Sequence, residues 1–486
     1  MNLILISISI ILFFVLSLRH VYQFQLTEYR FIRFRSMLRD FGFFDSLFIP
    51  RFLFPAKTFR NYLIVFFTLL FFLTINFFLF EIFTETILLT LTLILLNYFL
   101  SKICVFLGVI ASIPFAKIYR DRKIGLAKKL ARNSNTVFLG VTGSFGKSSA
   151  KEFLFSILNK KYDVQKTVGN RNTNIGVSLE LIDKMKNEPD IFITEMGAYH
   201  IGEIQGICDI VKPKYGCLTG IGNQHMDIFG SIQNLVKAKS ELLRSLPKEG
   251  FGVVNIDNEY VEELLQDVNA EIVTYGEKEN ADFRLVDVKY KKRMMFVTCK
   301  NGQRGYKFTT ALFGKHHAIN LVGCVALALN LGVNYEDVQE AIVEIEPMPG
   351  KLSIHKGLNG STIFDDGYNS NLHGFLHALD VVSNFEAKNK FAFSYGIFEL
   401  GKEKIPAYKK VVEFIEKNNI VLLTLDREFL KFNSKNVLWK ENEEEVLEFL
   451  KSNLKSSDIL LLEGRFSKVL LNELQLRKYE VSDKGD

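Results

Sequence analysis

Apolar positions along the chain fall into two regimes. Residues 2–18 carry no charged side chain, Tyr62 to Phe80 again carry none, and a third uncharged run, Thr86 to Leu100, continues past Lys102 as Ile103 to Phe115. A membrane helix needs about 20 mostly apolar residues. The pattern therefore predicts a first, slightly short crossing, with no small-residue cleavage site after it, and then a transmembrane hairpin. Over 86–115 it allows one long tilted helix with an interfacial tail or two short crossings. From Thr136 the texture changes to short β-like runs, TVFLGVT, DIFITEM and YGCLTGI, each followed by a helical pattern. That alternation belongs to a parallel α/β sheet. The organisation expected is a membrane anchor over 1–133, a nucleotide-binding domain over 134–347 and a smaller Rossmann-like α/β domain over 348–486. The charged, Gly-punctuated stretch 250–312 reads as a strand-rich extension of the middle domain, and a hinge is expected near Pro347 to Gly350.

Charge orients the membrane part. Between the first two apolar runs lie Arg19, Arg30, Arg33, Arg35, Arg39, Arg51, Lys57 and Arg60 against Glu28, Asp40 and Asp45. Such a basic loop belongs on the cytoplasmic side. Three crossings then leave the amino terminus outside and the soluble part in the cytoplasm, at the inner membrane; four would not. Arg120, Arg122, Lys123, Lys128, Lys129 and Arg132 agree with that face. Phe24, Tyr29, Phe31, Phe34, Phe41, Phe43 and Phe44 are interleaved with the arginines, a composition suited to anionic lipid headgroups, at about 1 kcal/mol per basic residue. A solvated basic loop with scattered aromatics is the plainer reading of the same residues. The net charge is only +6 over 486 residues and is concentrated in this loop, which argues against nucleic acid as a partner. A chain that is 48% apolar with 9 prolines is neither disordered nor collagen-like. Five cysteines without a C-x-x-C pair suggest neither a zinc ribbon nor a disulfide framework.

The chemistry begins where the first β-like run enters Gly143-Ser144-Phe145-Gly146-Lys147-Ser148-Ser149 and then the helical KEFLFSILNKK. A strand, glycine loop and helix in that order point backbone N–H groups at phosphate oxygens. Lys147 would lie on the β/γ phosphates and the Ser148 hydroxyl on Mg2+. ATP and Mg2+ are the cofactors this implies. Val141 stands where the usual P-loop has its first glycine. Glu195 closes the apolar run DIFITE, where a carboxylate at the sheet's carboxyl edge suits either a metal ion or a helix N-terminus.

Further motifs follow in a fixed order: GVTGSFGKSS (140–149), GNRNTNIGVSLELI (169–182), TEMGAYHIGEI (194–204), NQHMDIFGSIQNLVKAKSEL (223–242), GKHHAIN (314–320), PMPGKLSI (347–354), DDGYNSN (365–371) and ELG (399–401). Together they resemble the Mur ligases, nearest the branch that adds D-alanyl-D-alanine to UDP-N-acetylmuramoyl tripeptide. The resemblance implies an α/β fold, with a P-loop-type central domain and a C-terminal Rossmann-like domain, here preceded by transmembrane helices. It implies an ADP-forming carboxylate-amine ligase working through an acyl phosphate. By the same resemblance Glu195 is a Mg2+ ligand, His225 belongs to a second metal position, and Lys239 matches a lysine that is carbamylated in related ligases. Asn172, Thr173 and Asn174 would line the peptide-bearing substrate. Asn320 would meet the adenine, and Asp365, Tyr368 and Asn369 the ribose and phosphate side. Each has a plainer reading: helix capping for Asn172 to Asn174, a solvated helix lysine for Lys239, a β-turn for Asp365 to Asn369.

Several positions depart from the family pattern. Its usual UDP-gripping first domain is replaced by the apolar helices. His317, Lys351 and Leu372 stand for Asn, Arg and Pro, Tyr408 for a His, and Glu463 where a K-G-S element is typical, with Arg465 two residues on. These departures bear more on the substrate than on the chemistry. The expected partners are the UDP-linked muramoyl peptide, D-alanyl-D-alanine, membrane lipid and other cell-wall synthesis proteins. Rivals are a lipid-linked acceptor and a membrane scaffold without turnover.

Overall fold

Among its described residues the computed structural model holds three apolar helices and two open sheets with further helices packed on them. It describes residues 2–26, 29, 54–83, 87–169, 171–222, 229–291, 294–347, 350, 352–367, 372–397, 400 and 403–476. The chain divides into two compact units that part between Lys123 and Ile124, earlier than the division at 133/134 read from the apolar pattern.

The apolar runs of the first unit form helices α1 (Asn2–Leu26), α2 (Phe59–Phe83) and α3 (Ile87–Arg132), whose last turns belong to the second unit. Of the two forms open for residues 86–115, the backbone takes the single long helix. It runs 46 residues with Pro114 inside it, about 69 Å at the standard rise. Val21, Phe24, Ile64, Val105 and Val109 pack together, and Phe13 stacks on Phe72 at 3.7 Å. Gly108 allows close approach, since a Cβ there would lie 2.9 Å from the Ile64 carbonyl oxygen. Asn61 knots the end of α1 to the start of α2: its Nδ2 donates to Gln25 Oε1 (3.0 Å) and to the Ala56 carbonyl (2.9 Å). Among the described residues two helical stretches are long and apolar enough to cross a membrane, Phe59–Phe77 and Leu100–Arg132, and Ile10–Gln25 is a shorter apolar helix. Most of the basic aromatic segment between α1 and α2 lies outside the described residues.

The second unit holds both sheets. The first contains β1 (Val137–Thr142), β2 (Val164–Lys166), β3 (Ile191–Glu195), β4 (Tyr215–Leu218), β5 (Phe251–Asn255), β6 (Glu271–Gly276), β7 (Phe283–Lys291), β8 (Met294–Asn301) and β9 (Arg304–Thr310). Their order is β2-β3-β1-β4-β5-β6-β7-β8-β9. Strands β1 to β6 pair in parallel and β7 to β9 form an antiparallel meander, the strand-rich extension. Period-two alternation sends β1 side chains to two cores. Leu139 and Val141 join Phe153, Leu154, Leu321 and Val325 on one face, while Phe138 joins Phe192, Ile207 and Leu242 on the other. Ala127 and Ala131, from the last turns of α3, are buried in that second core.

The second sheet contains β10 (Ser353–Lys356), β11 (Thr362–Asp366), β12 (Lys390–Ser394), β13 (Ile420–Thr424), β14 (Val437–Trp439) and β15 (Ile459–Glu463), in the order β10-β11-β15-β12-β13-β14. Only β10 is antiparallel to its neighbour. Two positions of the expected hinge, 348 and 349, lie outside the described residues.

Candidate active site

The glycine loop leaves the carboxyl end of β1 and enters helix α4 (Lys147–Leu158). Gly146 turns with φ 79°, and a Cβ there would run into the Asn320 amide. Only glycine combines that backbone with that neighbour. A Cβ at Gly143 would meet the Thr219 hydroxyl. The loop is stitched to the exit of β4: Ser144 N donates to the Gly220 carbonyl (2.7 Å), Thr219 Oγ1 to the Phe145 carbonyl (2.5 Å), and the Phe145 ring covers the space a Gly220 side chain would need. Lys147 Nζ folds onto the loop's own carbonyls, Gly143 at 2.8 Å and Ser144 at 3.1 Å. Burial pulls the Lys147 pKa down, with the Glu195 carboxylate opposing.

Parallel pairing sets Val141 beside Glu195 at the edge of the sheet. The strand Ile191–Glu195 is buried throughout, so its last carboxylate is buried too. Glu195 Oε1 accepts from Ser148 Oγ (3.1 Å) and Asn172 Nδ2 (3.2 Å), while Oε2 pairs with Lys151 Nζ at 3.1 Å. Burial alone would raise its pKa, but the charges of Lys151 and Lys147 and the bonds from Lys151 and Asn172 hold it below the usual range.

Lys239 sits on a helix, α5 of the set taken up in this site (Ile232–Arg244), capped by Ser231. Its side chain is buried rather than solvated. Burial and the charge of Lys147 hold its pKa well below the ordinary 10.5, against the pull of Glu203, Glu241 and Glu195. Glu241, two residues on, accepts from the Gly202 (2.5 Å) and Gln205 (2.8 Å) N–H groups and so caps the helix Glu203–Val211.

Thr173 caps the helix Asn174–Lys184 by accepting from Gly176 N, and Asn172 turns inward to Glu195. Asn174 lies against Gly206. Ser149 is buried in the first turn of α4, and Asn320, on the helix Lys315–Asn330, lies against the loop at Gly146. Asp365 is the next-to-last residue of β11 in the other sheet and accepts from Gly367 N (2.9 Å), a turn-forming bond. His225, Tyr368 and Asn369 lie outside the described residues. Tyr408, one of the departures, donates to Asp426 (2.6 Å) and stacks on Phe429 at 3.8 Å, with Lys404 pairing the same Asp426 at 2.8 Å.

Residues 141–328 match the Mur ligase middle domain. The UDP-N-acetylmuramoyl-tripeptide–D-alanyl-D-alanine ligase of Borreliella burgdorferi is 28% identical, with 71% of this chain and 75% of the relative covered. The chain carries a Mur ligase middle domain. A Bacillus subtilis ligase of the same name matches the chain at 27% identity over 70% of the chain and 75% of the relative. Among solved structures, MurF of Thermotoga maritima in complex with ADP superposes with a TM-score of 0.65 at 22% identity, covering 73% of this chain and 82% of that one.

The residues present at this site fit a nucleotide and Mg2+. Buried Ser144 Oγ and Asn320 Nδ2 have no hydrogen-bond partner among the described residues and flank a loop stripped of side chains at Gly143 and Gly146. The Glu195 and Ser148 oxygens are the hard donors that Mg2+ takes. Among the described residues no group of three or more His, Cys, Asp or Glu gathers, so the cation would complete its shell from phosphate and water. Sequence reasoning passed over Lys151. Its signal is a lysine within the buried face Ala150, Lys151, Leu154, Leu158 of α4.

Proposed function

We propose that this Mur ligase joins D-alanyl-D-alanine to UDP-N-acetylmuramoyl tripeptide, with ATP phosphorylating the acceptor carboxylate to an acyl phosphate that the incoming amine then opens, releasing phosphate and ADP. The observation that carries the reading is Glu195 bonded to Ser148 at the mouth of the phosphate loop. Loop amides and Lys147 would hold the β/γ phosphates, Lys147 exchanging its carbonyl bonds for phosphate oxygens. Mg2+, when bound, supplies charge neutralisation on those phosphates; Ser148 and Glu195 would hold it, with Asn172 orienting the carboxylate. His225 would serve a second metal position. Burial draws Lys239 toward the neutral amine, the form that carbamylation by CO2 consumes. Asn320 and Ser144 would bond the nucleotide, Asp365, Tyr368 and Asn369 its ribose side, and Asn172 to Asn174 the peptide acceptor.

The apolar helices support placement of the first unit in the inner membrane, multi-pass, with the catalytic unit in the cytoplasm, where membrane lipid and other cell-wall synthesis proteins become partners. Their position in place of the usual UDP-gripping domain favours a second reading, a lipid-linked muramoyl acceptor. Purified full-length protein should release ADP and give the tripeptide-D-alanyl-D-alanine product by mass spectrometry, and Lys147→Ala should abolish both. Release only with a lipid-linked acceptor selects the second reading. Growth support that survives Lys147→Ala would mean a scaffold.

A further inference from the structure

Lys151 lies one helical turn beyond Lys147 and is 1% exposed. Its ammonium sits 3.1 Å from Glu195 Oε2, 3.3 Å from the Gly169 carbonyl and 3.8 Å from Glu152 Oε1. Glu152 is also paired with Lys166, which leaves Glu195 as the close carboxylate partner of Lys151. Both side chains of the pair are 2% exposed. Separating a buried ion pair leaves two uncompensated charges in low dielectric, so the pair should persist when ligands arrive. Oε1 is held differently. Its partners are the neutral Ser148 hydroxyl and Asn172 amide, which can turn aside at far smaller cost.

The carboxylate is therefore divided: Oε2 lies in ion-pair contact with an ammonium and Oε1 faces the phosphate loop. We infer that Lys151 is a positioning residue that sets the cation preference of this site, by withholding one oxygen of Glu195. The inference rests on the proposal that Glu195 binds the nucleotide's metal. Mg2+ is small, binds at about 2.0–2.1 Å, and is content with one oxygen from a carboxylate; Ca2+ seeks six to eight oxygens, roughly, and often takes both from one carboxylate. A carboxylate that can offer one oxygen suits the first and shortchanges the second.

The test is calorimetry of ADP binding to full-length protein in detergent, titrated with Mg2+ or Ca2+, for wild type, Lys151→Met and Lys151→Gln. Metal-free ADP binding verifies that each variant is folded, and Gln can still donate to Gly169 where Met cannot. Wild type should prefer Mg2+, and the variants should lose about tenfold of that preference, chiefly by gaining Ca2+ affinity. An unchanged ratio in folded variants overturns the inference and leaves the metal site standing. ADP affinity in wild type that ignores both cations overturns the metal-site proposal and the inference with it. Should both variants fail to fold, wild type decides: infrared difference bands of Glu195, identified against Glu195→Gln, should show one-oxygen coordination even with Ca2+, and a two-oxygen signature there overturns the inference.

Discussion

At Gly146 the backbone holds φ at 79° while the Asn320 amide fills the space where a side chain would go. Gly146→Ala must strain the turn by about 1–2 kcal/mol and push Asn320 away besides. The expected result is a lower melting temperature together with weaker ADP binding by calorimetry, and Asn320→Ala made alongside should restore part of the stability. A second residue-scale prediction concerns Asp426. Burial would raise its pKa, but bonds from Lys404, Tyr408 and the Glu428 N–H hold it below the ordinary 3.8. Its contribution to stability is thus present above that value and lost as pH falls through the lower, folded one. In urea melts, the gap between wild type and Asp426→Asn should hold above about pH 5 and narrow as pH falls below about 4. A gap that stays constant would contradict the assignment. At this scale the sequence pointed to Lys147, Ser148 and Glu195, because a glycine loop and a strand-end acid are local patterns, and to Lys239 only through the family resemblance. It gave no hint that Tyr408 and Asp426 would meet, since they lie on a helix and a strand end that only the sheet brings together.

Elements were largely readable. The strands around DIFITE and YGCLTGI and the helix after the glycine loop fall where alternation and apolar spacing put them. The long helix Ile87–Arg132 was undecided from sequence, because Lys102 and Pro114 interrupt the apolar pattern without forbidding a continuous backbone. The helix Asn174–Lys184 shows how a capping signal and a site signal overlap. Thr173→Ala should cost about 1 kcal/mol in chemical denaturation, and Thr173→Ser should recover it. If Thr173 also touches the acceptor, as proposed, KM for the muramoyl peptide rises in the Ala variant beyond what Ser repairs. The same helix carries Glu180, 2% exposed in its side chain and paired with Arg171 (2.6 Å) and Lys184 (3.0 Å). That ion triad ties the 169–174 loop to its helix.

For the whole molecule, the two cores flanking the first sheet and those of the second close within residues 124–476. A fragment over those residues should leave the membrane fraction and still bind ADP. A fragment starting at 134 loses Ala127 and Ala131 from the core around Phe138 and Leu181, and should melt at a lower temperature. Equal melting of the two would show that the last turns of α3 add nothing. The apolar-then-alternating organisation, the parallel α/β class and the phosphate loop were determined by the sequence alone, because hydrophobic period and loop chemistry act between near neighbours in the chain. Which residues share the site was decided by tertiary structure. Pairing of Val141 with Glu195 carries a strand-end acid to the loop, and the pitch of α4 turns Lys151 under it. Neither registration nor burial can be computed from spacing along the chain.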